Sequence, residues 1–352
     1  MRILCSFVIF LTLFSCVEKK QKEKPSRKIF STVEITPIFN DSVSIRAIDI
    51  TPSGDLVYGG NNTTIGYFNA KTNQHTNLLK GKVADSLNVS FRAVTHVNNT
   101  TFGISIVNPA LLYKISKNGD VTLVYQEAHE KTFYDAIAFW NKNEGIAMGD
   151  PTNDCISIII TRDGGNTWQK VPCDQLPKAK EGEAAFAASN TNIAIVGNKT
   201  WIATGGKASR ILYSEDKGNS WTVYETPIVQ GIATTGMYSI DFYDENNGFA
   251  IGGDYSKADI NEANKIRTYD GGKTWQLVAE NQNPGYRSCV QYVPNSEAKE
   301  LVAVGFKGID YSNDAGNTWK HLSDEGFYTI KFINDSTAYA AGKYKIAKLL
   351  FR

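Results

Sequence analysis

Four segments of the sequence repeat one turn pattern, Ser/Thr-x-Asp-x-Gly-x-Thr/Ser-Trp, and this repeat constrains the fold more than any other feature. The copies lie at 161–168 (TRDGGNTW), 214–221 (SEDKGNSW), 268–275 (TYDGGKTW) and 312–319 (SNDAGNTW). Their first residues are 53, 54 and 44 positions apart. Repeat periods of this length indicate a propeller or a solenoid.

Each recurring position in the pattern suits a tight turn. The carboxylate can accept hydrogen bonds from turn amides, and the glycine supplies the backbone freedom that the turn needs. The tryptophan is large enough to fill the space between two neighbouring sheets. We therefore predict structural roles for the four carboxylates, which are Asp163, Asp216, Asp270 and Asp314.

A second repeat consists of short apolar segments, each typical of a strand that is buried on both faces. They lie at 44–50, 90–96, 133–139, 182–188, 237–242, 286–292 and 327–332. Seven such units predict an all-β fold, a seven-bladed β-propeller over residues 29–352. The last unit has three strands before Arg352. Residues 29–38 are therefore expected to supply its outer strand and close the ring, which removes exposed sheet edges.

The turn pattern resembles the Asp-box (BNR) repeat of sialidases and related propellers. This resemblance implies that each box joins the third and fourth strands of a blade, on the face opposite the ligand site. The segments 139–149, 242–252 and 332–342 follow or approach the pattern Phe-x-Asp/Asn-x-x-x-Gly-x-Ala-x-Gly. Together with the ring of blades, these segments look like the photosystem II stability/assembly factor family, with a likeness that covers most of residues 40–342.

The N-terminus has the pattern of an export signal. Arg2 precedes an apolar run at 3–14 that is shorter than the roughly 20 residues of a membrane-spanning helix. The sequence Leu-Phe-Ser-Cys at 13–16 resembles a bacterial lipobox, which implies a signal peptide at 1–15 and lipidation of Cys16. The alternative is a plain signal peptide. With a lipid anchor, the protein is expected in the bacterial cell envelope, on the periplasmic side or the outer-membrane surface.

Residues 17–28 carry six basic and two acidic side chains and no apolar cluster, so we interpret 16–28 as a lipidated cysteine with a charged tether. The whole chain has 37 basic and 36 acidic residues, and 30 basic and 34 acidic residues remain without the signal and the tether. This balance excludes the basic surface that nucleic-acid binding needs.

Polar residues cluster where a propeller presents its ligand site. The starts of the predicted innermost strands contribute Arg46, Arg92, Asp135, Glu183, Tyr238, Arg287 and Tyr328, and the loops after the second strands contribute Asn61, Asp150, Lys207, Asp254 and Lys343. Charges at the mouth of a narrow channel favour a charged or polyhydroxylated ligand.

Three interpretations of these residues remain open. The charges can pair with one another around a water-filled channel, the face can bind a ligand without turnover, or the site can be catalytic. Sialidases use an arginine triad, an acid and a tyrosine nucleophile on an Asp-box propeller. By that resemblance, Arg46, Arg92 and Arg287 would clamp a carboxylate, Asp135 or Glu183 would be the acid/base, and Tyr238 or Tyr328 its partner.

Other kinds of chemistry find no support in the sequence. The four histidines show no metal-ligand spacing, so no metal site is predicted. No phosphate-binding loop and no Gly-x-Ser-x-Gly elbow is present, so no cofactor is predicted. If the first repeat turns a hairpin, Cys155 lies opposite Cys173, close enough for a disulfide in an exported protein. Two unpaired thiols are the alternative.

These observations predict a monomeric, envelope-anchored module for binding or assembly that acts through its polar face. Its partner would be an envelope protein or an acidic glycan. The alternative is an enzyme on acidic glycans, either a sialidase-like hydrolase or a polysaccharide lyase.

Overall fold

The chain folds as an all-β β-propeller, with six hydrogen-bonded sheets around a central channel. The computed structural model describes residues 29–81, 83 and 87–352. The predicted signal peptide, Cys16 and the tether lie outside the described residues. No helix in the described part is long and apolar enough to cross a membrane, and no group of metal-ligating side chains occurs there.

All strand pairs are antiparallel, and the strands of each sheet follow one another as hydrogen-bonded neighbours. The first sheet contains β27 (Thr329–Phe332), β28 (Thr337–Phe351), β1 (Val33–Ile50), β2 (Leu56–Gly60), β3 (Thr64–Asn69) and β4 (Gln74–Leu79). The second contains β5 (Phe91–Val97), β6 (Thr100–Ser105), β7 (Ala110–Ile115) and β8 (Val121–Glu127). The third contains β12 (Gln169–Lys170), β11 (Ser157–Thr161), β10 (Gly145–Gly149) and β9 (Tyr134–Phe139).

The fourth sheet contains β14 (Ile193–Val196), β15 (Lys199–Ala203), β17 (Arg210–Ser214) and β18 (Thr222–Glu225). The fifth contains β13 (Glu183–Ala184), β16 (Gly205–Gly206), β19 (Thr235–Phe242), β20 (Gly248–Asp254), β21 (Lys265–Thr268) and β22 (Gln276–Leu277). The sixth contains β23 (Cys289–Tyr292), β24 (Leu301–Gly305), β25 (Gly308–Ser312) and β26 (Lys320–Ser323). Two short 3₁₀ helices lie at Cys173–Gln175 and Tyr255–Lys257.

The structure has six sheets rather than the seven predicted. The difference arises in the first sheet, because β1 and β28 are long strands that each make two sets of pairs. The beginning of β1 pairs with the end of β28, from Val33 opposite Phe351 onward, whereas its end pairs with β2. The units predicted as the first and the last blade therefore share one continuous hydrogen-bonded sheet.

The prediction of an innermost strand at 182–188 is wrong. Only Glu183–Ala184 is paired, with Gly205–Gly206, and the chain then leaves the sheet. The innermost strand of the fourth sheet is β14 instead. The run of small apolar residues predicted burial correctly, but burial in a channel and burial in a sheet leave the same sequence pattern.

The four repeat turns share one set of hydrogen bonds. In the first copy the Thr161 hydroxyl donates to Asp163 at 2.9 Å, and the amides of Gly165 and Thr167 donate to the Thr161 hydroxyl and the Asp163 carboxylate, both at 2.9 Å. The equivalent bonds occur in the other three copies. The prediction that these carboxylates bind turn amides is confirmed.

The first repeat turn also packs against the neighbouring sheet. Trp168 contacts Phe102 of β6 and Phe139 of β9, with ring centroids 6.3 and 5.7 Å apart. Gly165 has a φ of +77°, and a Cβ atom there would meet the Phe102 ring at 2.3 Å. The turn therefore needs glycine both for its backbone conformation and for this close approach.

A disulfide joins Cys155 to Cys173, the predicted pair, with the two Cα atoms 5.5 Å apart. It links the segment before β11 to the 3₁₀ helix after β12. Cys289 is a free, buried thiol. Its side chain packs among the core residues of the last two units of the chain.

The repeat turns and the starts of the innermost strands lie on opposite faces of the ring. In the third sheet Tyr134, at the start of β9, pairs with Gly149, whereas Phe139, at its end, pairs with Gly145. Gly145 in turn pairs with Thr161, where the first repeat turn begins. We call the face that carries the strand starts the entry face.

Candidate functional site

A cavity of about 440 Å³ opens on the entry face at the mouth of the central channel. Its lining comes from several sheets, because the first residues of the innermost strands converge there. Five of the predicted site residues line it: Arg46, Arg92, Asp150, Tyr238 and Tyr328.

One wall of the cavity is aromatic. Tyr238 stacks on Phe186 with ring centroids 3.8 Å apart, and its edge meets Tyr286 at 4.7 Å. The ring centroids of Tyr286 and Phe306 lie 5.5 Å apart. Tyr238 and Tyr286 are buried, whereas Tyr255 and Phe306 are 50% and 45% exposed and form the rim. Burial raises the pKa of Tyr238 and of Tyr286 far above the usual range, so both phenols stay neutral. The Tyr238 hydroxyl donates to the Thr234 carbonyl at 2.9 Å.

Two arginines also line the cavity. The Arg46 guanidinium lies over the Tyr328 ring, 3.9 Å from its centroid. Burial, together with the charge of Arg46, lowers the pKa of Arg92, against the pull of Asp135. Neither arginine forms an ion pair within the described residues. Two partly buried, mutually repelling cations favour an anionic group between them.

Two carboxyl groups lie beside these arginines. Asp150 lines the cavity, and burial raises its pKa to about 6, although the Ala185 amide donates to it at 2.7 Å. Asp135 is fully buried, and burial, reinforced by the Asp150 charge, raises its pKa well above the usual value. Asp135 therefore lies behind the cavity wall and does not reach a ligand.

The Asp150→Asn variant is expected to be more stable than the wild type above pH 6 and equally stable near pH 4. The pKa of Asp150 is about 6 when folded and 3.8 for a free side chain. Because the folded state holds the proton longer, the wild type loses stability as the pH rises from about 4 to 6. The predicted gain of the variant at pH 7.5 is about 1–3 kcal/mol, since one pKa unit corresponds to about 1.4 kcal/mol. Urea unfolding at both pH values measures it, and a gain that is independent of pH would contradict the assignment.

The floor of the cavity is a segment that sequence reasoning placed in a sheet. Residues 185–191, which we call the channel segment, run down the channel and bond to several sheets. The Asn190 side chain donates to the Val94 carbonyl at 2.8 Å and accepts from the Ile137 amide at 3.0 Å. The Thr191 hydroxyl donates to Ser239 at 2.7 Å. The channel segment thus separates the cavity from a second one of about 300 Å³ at the far end.

Two predicted site residues are instead held in buried ion pairs. Arg287 lies 2.5 Å from Asp310, with side chains 6% and 3% exposed. Glu183 lies 2.5 Å from Arg210, whose Nε also donates to the carboxylate. The predicted three-arginine clamp is therefore incomplete, and Glu183 is not placed to act as an acid. Each side chain pairs with an opposite charge that lies 23 or 27 residues further along the chain, a contact that sequence spacing does not reveal.

The remaining predicted residues lie around the entry face outside the cavity. Lys207 is exposed and pairs with Glu181 at 3.0 Å, and Lys343 lies beside the ring of Tyr344. Asp254 accepts from the Ser256 amide at 2.9 Å and caps a 3₁₀ helix. Asn61 accepts from the amide of Ser44 at 2.7 Å.

Sequence reasoning missed two residues of the aromatic wall by one position. Tyr286 precedes Arg287 and Tyr255 follows Asp254, whereas no residue beside Phe306 was predicted. A shift of one residue moves a side chain to the other face of a strand. The preference for charged residues at these sites therefore selected neighbours that point elsewhere. Phe186 comes from the channel segment, and no signal in the sequence places it here.

The sequence and the fold differ in what they match among known proteins. No protein-family profile matches the chain, and no curated protein matches it in sequence. Solved structures do match over nearly the whole chain. The chain has the fold of known β-propellers.

One such structure is YCF48 bound to a D1 peptide, with a TM-score of 0.65 and 12% identity over 92% of this chain and 96% of that one. YCF48 from Cyanidioschyzon merolae has a TM-score of 0.64 and 12% identity, and the match covers 90% of this chain and 98% of that one. YCF48 is a photosystem II assembly factor. A streptogramin B lyase has a TM-score of 0.65 and 16% identity, and the match covers 91% of this chain and 97% of that one. At these identities the likeness shows the shared fold and nothing about the ligand.

Proposed function

We propose that the protein is a binding or assembly module that holds a segment of a partner polypeptide in the cavity. An aromatic side chain of the partner would pack against the exposed rings of Tyr255 and Phe306 at the rim, and a neighbouring carboxylate would bind Arg46 and Arg92. The observation that carries this proposal is the juxtaposition of an aromatic wall with two arginines that lack a described counter-ion. Such a cavity provides apolar contact area and one charged recognition point.

The rim of the cavity supports a polypeptide over a sugar as the ligand. Large apolar side chains are exposed on the entry face, each about half accessible: Ile232, Tyr255, Ile260, Phe306 and Tyr344. Aromatic and aliphatic residues around a pocket are typical of protein-binding surfaces. The similarity in fold to YCF48 bound to a D1 peptide is consistent with this ligand class.

A selection from a displayed random dodecapeptide library on the purified full-length protein tests the proposal. We expect the enriched peptides to share an aromatic residue beside an aspartate or glutamate. Tyr255→Ala, at the rim, should weaken the best peptide at least about fivefold, as for a typical interface tyrosine. Tyr269→Ala removes a tyrosine of similar exposure, 53% against 50%, from a repeat turn, and should leave affinity unchanged. No enrichment, or equal effects of the two variants, would refute the proposal.

The second candidate is an enzyme acting on acidic glycans. It is favoured by one observation, the carboxyl group of Asp150 with a pKa near 6 in the cavity that also contains Arg92. A group with this pKa can exchange protons near neutral pH. The test is a turnover screen on sialylated and uronic-acid glycans. New reducing ends or unsaturated sugars that disappear in Asp150→Asn would favour the enzyme.

We further propose that Cys16 is lipidated and holds the protein at the bacterial envelope. The support is the lipobox-like sequence and the short apolar run before it. Metabolic labelling with palmitate, compared between the wild type and Cys16→Ser, tests the anchor. Equal labelling of both chains would contradict it.

We also propose that the six sheets correspond to a seven-fold ring with Asp-box turns. The support is that the innermost strands β1, β5, β9, β14, β19, β23 and β27 each contact the next around a closed circle. In this interpretation the pairing of residues 33–40 with the end of β28 closes the ring. An experimental structure with a different number of innermost strands would contradict it.

A further inference from the structure

Asp150 lines the same cavity as Arg46 and Arg92, the two residues proposed to bind the partner's carboxylate. The cavity has a volume of about 440 Å³, which is within the range of sites for one small ligand. A carboxylate held by the arginines therefore shares this space with the Asp150 side chain. Two carboxylates in one partly enclosed site repel each other unless one of them carries a proton.

The immediate surroundings of Asp150 favour its protonated form. The side chain accepts one hydrogen bond from a neutral donor, the Ala185 amide, at 2.7 Å. It forms no ion pair with any residue that the structure describes. Burial raises its pKa to about 6. Asp150 therefore exchanges its proton in a pH range in which an exposed aspartate or glutamate of a partner stays ionised.

The charged groups around Asp150 leave it without a counter-ion. On the cavity side lie the two arginines, with Asp135 behind the wall, and the other titratable groups there are four tyrosines, which do not ionise near neutral pH. On the outer side a depression of the entry face is lined by Glu130, Lys131, Asp154, Lys180, Glu181 and Glu183. The last four form ion pairs with residues outside the depression, and the first two are exposed and of opposite sign. Among the described lining residues on both sides there is no histidine.

We propose that Asp150 is a binding residue that takes up a proton when the partner's carboxylate enters the cavity, and that the protonated group donates a hydrogen bond to this carboxylate. The inference rests on the proposed function, because it concerns the same ligand in the same cavity. The proton comes from solvent and removes the repulsion between the two carboxylates. Since the complex holds this proton to a higher pH than the free protein does, the affinity rises as the pH falls.

The pH dependence of peptide binding to the full-length protein tests the proposal. The probe is the best histidine-free dodecapeptide from the library selection, labelled at its N-terminus with tetramethylrhodamine and followed by fluorescence polarisation. Its acidic residue stays ionised between about pH 6 and 8, so a change in affinity over this range reports on the protein. We expect the wild type to bind about five- to 20-fold more tightly at pH 6 than at pH 8, as for a group that takes up one proton.

Asp150→Asn fixes the neutral state of the side chain. The asparagine oxygen can still accept from the Ala185 amide, and its NH₂ group can donate to the ligand. At pH 8 this variant should bind the peptide at least about fivefold more tightly than the wild type, with little change down to pH 6. The matched control is Asp241→Asn in the cavity at the far end of the channel, where Asp241 accepts from the Tyr292 amide at 2.7 Å and burial raises its pKa to about 7. This control should keep the wild-type pH dependence.

Calorimetry measures the proton uptake directly on the unmodified protein. Titrations at pH 7 in buffers with different ionisation enthalpies give the number of protons taken up per bound peptide. We expect about half a proton or more for the wild type and none for Asp150→Asn, because the asparagine does not titrate.

Each outcome decides between the two proposals. If the peptide binds with the same affinity at pH 6 and pH 8, or without proton uptake, the role of Asp150 is wrong and the proposed function stands. The role is also wrong if Asp150→Asn binds more weakly than the wild type at pH 8, or if Asp241→Asn abolishes the pH dependence. If the library selection yields no binding peptide, the proposed function and this inference both fail.

Discussion

Arg210→Met is expected to lower the free energy of unfolding by about 3–5 kcal/mol, because it leaves the buried carboxylate of Glu183 without a counter-ion. Arg210 donates to both Glu183 oxygens, at 3.1 and 2.5 Å, and the two side chains are 9% and 0% exposed. The other donors to Glu183, the Thr204 hydroxyl and the Lys180 amide, are neutral. Urea unfolding followed by tryptophan fluorescence measures the loss.

The matched control is Lys180→Met, three residues before Glu183. Its ion pair with Glu225 has side chains 50% and 62% exposed, so its loss should change the free energy of unfolding by less than about 1 kcal/mol. The double variant Glu183→Leu/Arg210→Met should recover part of the stability lost in Arg210→Met, since no buried charge is then left unpaired. If Arg210→Met is no more damaging than Lys180→Met, Glu183 becomes a candidate acid again.

Arg92→Gln is expected to weaken the selected peptide about 10- to 100-fold, the effect of losing a charge-assisted hydrogen bond in a partly buried site. The same change should leave the free energy of unfolding unchanged or slightly raise it. Burial and the charge of Arg46 both lower the pKa of Arg92, which means that the folded protein disfavours this cation. A loss of affinity without a loss of stability distinguishes a binding residue from a structural one.

Lys343→Gln is the matched control for Arg92→Gln. Lys343 is an exposed cation on the same face but does not line the cavity. Its effect on affinity should be less than about twofold, because exposed rim charges contribute little. Equal losses in the two variants would mean that general electrostatic attraction, rather than the cavity, binds the peptide.

The contrast between Arg92 and Arg287 shows why sequence position alone did not identify the site. Both lie at or just before the start of an innermost strand, and both were predicted to clamp a carboxylate. Arg287 instead donates to Asp310 of β25 at 2.6 Å and to the carbonyl of Tyr286 at 2.8 Å. No comparable carboxylate among the described residues bonds to Arg92, so Arg92 remains available to a ligand.

The local features were predictable because they depend on residues close together in the chain. The repeat turn places Thr161, Asp163 and Gly165 within a few residues, so its hydrogen bonds follow from the sequence pattern. The disulfide between Cys155 and Cys173 joins the two arms of a hairpin at positions only 18 residues apart in the sequence. The innermost strands lie where short apolar segments recur, apart from 182–188.

The sequence by itself therefore determined the all-β propeller, the repeat turns and the face on which a site would lie. Tertiary structure alone decided which side chains reach that site. Glu183 and Arg287 do not have their predicted roles, because they form ion pairs with residues 27 and 23 positions away. Phe186 lines the cavity because the channel segment is not part of a sheet. The physical reason is the sequence separation of the contacts. Turn and strand patterns reflect contacts within a few residues, whereas the charge balance of a buried site is the sum of contacts between sheets, which periodicity does not encode.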